Sequence, residues 1–253
     1  MPTINYLARI EFDFGAINNL GTEIERMGLK RPLLVTDRGI ADVGILQRAL
    51  DAAAPSRPVV YDATTENPTE QSLLACLDIW NDKGCDGVIA LGGGSPIDLA
   101  KAVSLLSSHG GNLADYNVKM GGSAKIGRVS PQIAIPTAAG TGAEVGRACV
   151  MSLLDGSKII AVNLNLVADL VICDPELTLS LPPRLTAATG IDALSHGVET
   201  YCSTWENPPA AAIGLEAVRR AANWLPVAVE NGADRTARRE MMMASLMGGM
   251  CLQ

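Results

Sequence analysis

The stretch GVIALGGGSPIDLAKA at residues 87–102 constrains the fold more than any other part of the sequence. It reads as a buried strand at 88–91, three glycines, and a helix whose apolar residues recur at helical spacing. Ser95 is expected as the N-cap and Pro96 as the first helical residue. Glycines at this junction let backbone approach a ligand, and the helix N-terminus attracts an anion. The pattern predicts a phosphate or pyrophosphate site, although a tight turn without a ligand uses the same residue types.

Short apolar segments alternate with helical patterns through the first part of the chain. The expected strands cover residues 9–14, 32–36, 59–61, 88–91, 132–135 and 170–173, and the expected helices include 15–27, 44–53 and 69–83. This alternation is typical of βαβ crossovers and predicts an α/β domain with a parallel sheet. Residues 148–153 and 159–162 are expected to form a hairpin around the Asp155-Gly156 turn.

Prolines at 175, 182 and 183 mark a change of pattern, and the sequence from residue 186 onward is helical almost to its end. We therefore expect two domains. An α/β dinucleotide-binding domain would cover residues 1–178, and a helical domain would cover residues 179–253.

Composition narrows the possible partners and the compartment. The 253 residues are 48% hydrophobic and 19% charged, which predicts a sizeable core rather than disorder. The formal net charge of -7 argues against nucleic acid or an anionic membrane as the main partner. The six cysteines form no CxxC pair and the N-terminal residues do not resemble a signal peptide, so a reduced, cytoplasmic setting is expected.

Two other stretches of the first domain carry polar groups suited to a dinucleotide. Asp37 follows the strand PLLVT, where a carboxylate can accept hydrogen bonds from ribose hydroxyls and repel a 2′-phosphate. Asp37 would then favour NAD over NADP, but for this residue taken alone a simple helix or turn cap is the better explanation. In the loop at 136–144, Thr137 and Thr141 could hydrogen-bond a phosphate or ribose, although such residues also build plain loops.

A candidate metal site lies in the helical part. Asp192 and His196 are four residues apart on a predicted helix, which places both side chains on one face. Aspartate oxygen and histidine nitrogen are ligands for Fe²⁺ and Zn²⁺, but the same pair can merely stabilise a helix. His109 is the only other histidine, and it is expected at a helix C-terminus remote from the cleft.

Taken together, four motifs resemble the iron-containing (group III) alcohol dehydrogenase family. They occur in the family's order and are GGGSPIDLAKA at 92–102, PTAAGTGAEV at 136–145, DPELTLSLPP at 174–183 and ATGIDALSHGVETY at 188–201. The resemblance implies an N-terminal dinucleotide domain, an all-helical C-terminal domain, and a divalent metal that polarises the substrate oxygen. It implies a small-molecule alcohol or aldehyde as substrate and NAD(P) as cofactor, of which NAD is expected because of Asp37. A homo-oligomer, a dimer, is also expected.

The resemblance also assigns residues. It implies that Gly93, Gly94 and Ser95 hold the pyrophosphate, and that Asp192 and His196 are the first two metal ligands. The rest of the cofactor site would be lined by Asp37, Asn67, Asp98, Thr137, Ala138, Thr141 and Lys158. Ala138 departs from the family, which commonly has threonine at that position.

A second departure is that the family's two further metal-binding histidines would follow beyond Gln253. The helical domain is therefore expected to be incomplete, to expose apolar surface, and to hold Fe²⁺ or Zn²⁺ weakly. The leading prediction is an NAD-linked, metal-dependent dehydrogenase that interconverts an alcohol and an aldehyde or ketone. The alternatives are an oxidoreductase of the maleylacetate reductase or glycerol dehydrogenase type, and a catalytically silent nucleotide-binding fragment.

Overall fold

A seven-stranded sheet forms the centre of the first part of the molecule. The computed structural model describes residues 3–6, as backbone, and 8–252. In chain order the strands are β1 Thr3–Tyr6, β2 Ala8–Phe12, β3 Leu33–Val35, β4 Val59–Tyr61, β5 Val88–Gly92, β6 Gln132–Pro136, β7 Ala148–Ser152, β8 Lys158–Val162 and β9 Leu170–Cys173. The sheet order is β1-β2-β9-β6-β5-β3-β4, while β7 and β8 form a separate hairpin.

The expected parallel sheet is confirmed. Among the described strands of this sheet, only the β1–β2 pair is antiparallel, and the sequence did not predict β1. The other six strands pair parallel with one another. The predicted hairpin is confirmed, since Met151 pairs with Ile159 across β7 and β8. Parallel strands carry their connections on both faces of a sheet, so β3 and β5 are apolar along their whole length.

Helices cover both faces of the sheet. The helices are α1 Leu20–Arg26, α2 Arg38–Asp42, α3 Ile45–Ala52, α4 Glu70–Lys83, α5 Gly94–His109, α6 Pro183–Tyr201, α7 Pro208–Glu230 and α8 Arg235–Cys251. On one face, Leu33 packs in a cluster with Leu99 and Val103 of α5, and on the other Leu34 packs with Leu20 and Ile45. The alternation of Leu33 and Leu34 between the two clusters follows the two-residue period of a strand.

Two details of the glycine-rich junction differ from expectation. Pro96 is the third helical residue and not the first. Ser95 is not the N-cap: the helix begins at Gly94 and Gly93 occupies the cap position. Ser95 lies inside the first turn, and its hydroxyl donates a hydrogen bond to the carbonyl of Glu66. The serine side chain therefore connects the helix start to the segment after β4 instead of closing the helix itself.

The three C-terminal helices pack against one another through small residues. Gly197 of α6 and Gly214 of α7 lie so close that a Cβ atom on Gly197 would be 2.6 Å from the Gly214 carbonyl oxygen. Helix α8 also contacts the first part of the molecule, because Met242 and Leu246 share a core cluster with Phe12. Helix α6 begins at Pro183, close to the expected boundary, and the division at 178/179 stays a prediction.

Apolar side chains are exposed on the helical part, in agreement with the expected apolar surface. They include Leu185, Ile191, Val198, Tyr201 and Trp205. The cysteines lie mostly in the core, since five of the six are buried and only Cys202 is exposed. Within the described residues, no helix is long and apolar enough to cross a membrane.

Candidate functional site

The turn between β5 and α5, residues 92–94, is here called the glycine loop. Gly92 has a φ of +148° and its carbonyl accepts the Thr137 N–H at 3.0 Å, so this backbone is tied to the next strand. A Cβ atom on Gly93 would meet no atom of the described residues within 4 Å, because this position faces open space. The first N–H groups of a helix have no partner within it. An anion placed here can accept hydrogen bonds from them.

A cleft of about 600 Å³ opens beside the glycine loop and is here called the Asp37 cleft. Its walls come from the residues that follow the carboxyl ends of β3, β4 and β5, where parallel α/β sheets bind their ligands. A single leucine of α6 completes them. The lining residues are Asp37, Arg38, Gly39, Ala63, Thr64, Thr65, Glu66, Gly93, Gly94, Ser95, Pro96 and Leu185.

Asp37 is placed to serve both roles that the sequence left open, the helix cap and the contact with a ribose. It is the N-cap of α2, and its Oδ1 accepts the Ile40 N–H at 3.0 Å. Its Oδ2 points toward the glycine loop and would lie 3.4 Å from a Cβ atom on Gly92. The capping bond uses one carboxylate oxygen, and the other remains on the side of the cleft.

A cavity of about 450 Å³ lies beyond Thr141 and is here called the Asp98 cavity. Its walls combine α5, the loop at 136–144, the start of the hairpin and the end of α8. They include Asp98, Thr141, Gly142, Ala143, Gly146, Arg147, Ala148, Val150, Val162, Gly249 and Leu252. Gly142 has a φ of +63°, and a Cβ atom on it would be 2.6 Å from the Gly249 Cα, so α8 directly supports this loop.

Asp98 lines this cavity, and two further titratable groups, Glu144 and Lys101, are buried close to it. The Oδ2 of Asp98 accepts the Val150 N–H at 3.2 Å, and burial raises the pKa of this carboxyl to about 6. Glu144 is buried, which raises its pKa to about 7. Lys101 is also buried, and the loss of hydration lowers the pKa of its ammonium. Asp98 and Glu144 lie near enough to Lys101 to oppose part of these shifts.

The remaining residues expected at the cofactor site lie in different surroundings. Thr137 is 2% exposed and Ala138 is half-buried, and neither residue lines the cleft or the cavity. Asn67 is in the exposed turn next to Glu66. Lys158 is exposed at the start of β8, where it pairs with Ser152, and it lines neither the cleft nor the cavity.

Asp192 and His196 face each other on α6 as expected. The distance from His196 Nε2 to Asp192 Oδ1 is 3.5 Å, which is too long for a good hydrogen bond. Nδ1 of His196 is buried and has no hydrogen-bond partner among the described residues. The pair fits two positions of a divalent-metal site. No cluster of three or more His, Cys, Asp or Glu side chains suited to a metal occurs in the described part of the chain.

Several residues at these sites were not predicted from the sequence. The segment 63–66 lines the Asp37 cleft because it follows β4, and Leu185 reaches the cleft from α6. The strand before residue 63 was predicted, so its position at the same sheet edge was an available signal. No such signal existed for Leu185, whose position depends on how α6 packs, or for Lys101, which is buried by the segment that lies over α5.

Comparison with known proteins agrees with the resemblance read from the sequence. The model of the iron-containing alcohol dehydrogenase family matches residues 8–175, and the model of the family's C-terminal part matches residues 186–253. A 4-hydroxybutyrate dehydrogenase of Cupriavidus necator is 45% identical over 100% of this chain and 66% of its own length. A long-chain-alcohol dehydrogenase of Geobacillus thermodenitrificans is 38% identical over 94% of this chain and 60% of its own length.

The chain therefore spans about two thirds or less of the length of these curated relatives. A crystal structure of sulfoacetaldehyde reductase from Bifidobacterium kashiwanohense in complex with NAD+ has a TM-score of 0.89 at 31% identity. The match covers 99% of this chain and 67% of the reductase chain. The sheet order, the glycine loop and the two family matches lead to one conclusion: this chain belongs to the iron-containing alcohol dehydrogenase family.

Proposed function

We propose that this chain binds NAD(H) and forms the cofactor-binding part of a dehydrogenase that interconverts an alcohol and an aldehyde or ketone. The observation that carries the proposal is the position of the glycine loop, with the Asp37 cleft and the Asp98 cavity both opening beside it. Gly94 lines the cleft, and Thr141, which lies against Gly94, lines the cavity. A dinucleotide has two nucleosides joined by a pyrophosphate, and two spaces on either side of an anion site suit that shape.

The proposed contacts follow the polarity of the walls. The backbone of Gly93 and Gly94, with Ser95, would hold the pyrophosphate at the start of α5. The Asp37 carboxylate would accept hydrogen bonds from the ribose hydroxyls and disfavour a 2′-phosphate, so NAD is the preferred cofactor. Asp98 and Thr141 would lie on the nicotinamide side.

We include Asn67, Thr137, Ala138 and Lys158 in the cofactor site on the family resemblance. Each of them is nevertheless outside the walls of the cleft and of the cavity.

We propose a metal site at two side chains of α6. Asp192 and His196 would supply two ligands to Fe²⁺ or Zn²⁺, and the buried, unpartnered Nδ1 of His196 indicates a ring held in place by packing. When bound, such an ion supplies Lewis-acid polarisation of the substrate oxygen. The residues of this chain bind and orient the dinucleotide, so that the nicotinamide can exchange a hydride with the substrate carbon.

The substrate class is proposed as a small-molecule alcohol or the corresponding carbonyl compound. A hydroxy acid deserves the first assay, because a relative named 4-hydroxybutyrate dehydrogenase is 45% identical over the whole chain. We also propose a cytoplasmic homodimer without nucleic-acid or membrane partners. The dimer is inferred from the resemblance, and the exclusion of polyanionic partners from the net charge of -7.

The direct test is a titration of the chain with NADH and with NADPH, followed by the fluorescence of the nicotinamide. We expect saturable binding of one NADH per chain and weaker binding of NADPH. Failure to bind NADH would contradict the proposal. Assays of hydride transfer with added Fe²⁺ or Zn²⁺ then separate an active chain from a catalytically silent nucleotide-binding one.

A further inference from the structure

Lys101 is a buried cation in the second turn of α5. Lys101 is 1% exposed. Its Nζ donates hydrogen bonds to the carbonyl oxygens of Ala143, Gly146 and Ala148. The distances from Nζ to the Ala143 and Ala148 oxygens are 2.7 Å and 3.1 Å. An ammonium group has three N–H donors, so these three carbonyls use all of them. A lysine is rarely fully buried, because removing its charge from water is unfavourable unless partners replace the lost hydration.

The three carbonyls belong to residues that line the Asp98 cavity. One turn earlier on the same helix, Asp98 accepts the N–H of Val150, which is another lining residue. Helix α5 therefore holds the backbone of residues 143–150 at four points, through two side chains on one face. The same helix begins at the glycine loop, so the wall of the cavity and the proposed pyrophosphate site are attached to one rigid element.

We propose that Lys101 is a positioning residue for the cofactor. Its ammonium group holds the backbone of residues 143–148 in the shape that forms the Asp98 cavity, where the nicotinamide end of the dinucleotide lies. This inference rests on the proposed function, because it takes the dinucleotide to extend from the Asp37 cleft into the Asp98 cavity. Lys101 itself touches neither cofactor nor substrate.

The variant Lys101→Met tests the proposal, because methionine keeps an unbranched apolar chain and removes the ammonium. Two ligands are titrated: NADH, which fills both spaces, and ADP, which reaches only the Asp37 cleft and the glycine loop. We expect the dissociation constant of NADH to rise at least about tenfold, while that of ADP stays within about twofold. The fluorescence of the nicotinamide in the residual complex should also shift toward that of NADH in water.

Arg238→Met is a matched control. Arg238 is 3% exposed, and its guanidinium donates to the carbonyls of Gly232 and Leu181 and to the hydroxyl of Thr186. Its removal therefore also takes a buried cation away from backbone carbonyls, but at a distance from the Asp98 cavity walls. We expect this control to lower the free energy of unfolding without changing the ratio of NADH affinity to ADP affinity.

The outcomes separate this inference from the function on which it rests. Unchanged NADH affinity in Lys101→Met, or equal losses for NADH and ADP, would overturn the role of Lys101 and leave the proposed function standing. A wild-type chain that binds ADP but not NADH would overturn both. If Lys101→Met does not fold by circular dichroism, Lys101→Gln, which keeps an amide with two donors, is measured instead. An intermediate, NADH-selective loss supports the proposal, and wild-type affinities refute it.

Discussion

Thr141 lies directly against Gly94. A Cβ atom added to Gly94 would be 3.1 Å from the Thr141 Oγ1 and 3.2 Å from its Cγ2. The hydroxyl of Thr141 is itself held by the Ala143 N–H, at 3.1 Å. The absence of a side chain at Gly94 thus allows the loop at 136–144 to close on the start of α5. This contact determines how close the two proposed parts of the cofactor site, the Asp37 cleft and the Asp98 cavity, lie to each other.

The first prediction contrasts two of the three glycines of this turn, Gly93 and Gly94. Gly93→Ala should leave the free energy of unfolding within about 0.5 kcal/mol of wild type, because the new methyl group meets no described atom within 4 Å. The same methyl group projects into the space proposed for the pyrophosphate, so Gly93→Ala should weaken NADH binding. Gly94→Val should abolish NADH binding and also destabilise the fold, since its side chain presses on Thr141. Chemical denaturation and NADH titration measure the two effects, and unchanged affinity in both variants would contradict the site.

The second prediction concerns the choice between NAD and NADP. Asp37→Ser keeps a side-chain oxygen that can cap α2, and it removes the carboxylate. We expect the ratio of NADPH to NADH affinity to rise by about tenfold or more, since a like-charge repulsion is lost. Asp42→Ser is the matched control, because Asp42 is an exposed carboxylate of the same helix that does not line the cleft. An equal change in both variants would indicate a general effect of charge.

The helices and strands could be predicted from the sequence because the patterns that indicate them are local. The strands β4 and β9 lie where the apolar runs placed them, and α4 begins at Glu70, within one residue of the expected start. The cap of α5 was misplaced, because Ser95 is engaged by the carbonyl of Glu66, a contact 29 residues away. The burial of Lys101 was equally out of reach. A lysine in a helical pattern reads as solvated, and only the packing of the loop over α5 removes it from water.

The third prediction uses the raised pKa of Glu144. Burial raises this pKa to about 7 in the folded chain, from an ordinary value of 4.5. The folded state then binds more protons between pH 4.5 and 7, so the free energy of unfolding falls as the pH rises through that range. Glu144→Gln stays neutral and should lack this fall. Its stability relative to wild type should therefore increase by about 1–3 kcal/mol from pH 4.5 to pH 7.5. Urea denaturation at several pH values measures the difference, and a difference that does not vary with pH would refute the assignment.

The last prediction concerns the metal. We expect the 253-residue chain to hold Fe²⁺ or Zn²⁺ weakly, because Asp192 and His196 supply two ligands and a catalytic zinc site uses three from the protein. His109 is a poor third ligand, since its Nε2 accepts the Gly127 N–H at 2.9 Å and its Nδ1 lies 3.2 Å from the Leu105 carbonyl oxygen.

Elemental analysis after dialysis should find well under one metal ion per chain. His196→Ala should abolish the residual binding measured by titration with Zn²⁺, and His109→Ala should leave it unchanged. Stoichiometric iron or zinc that disappears in His196→Ala would show that a further ligand completes the site, and that α6 alone does not set the affinity.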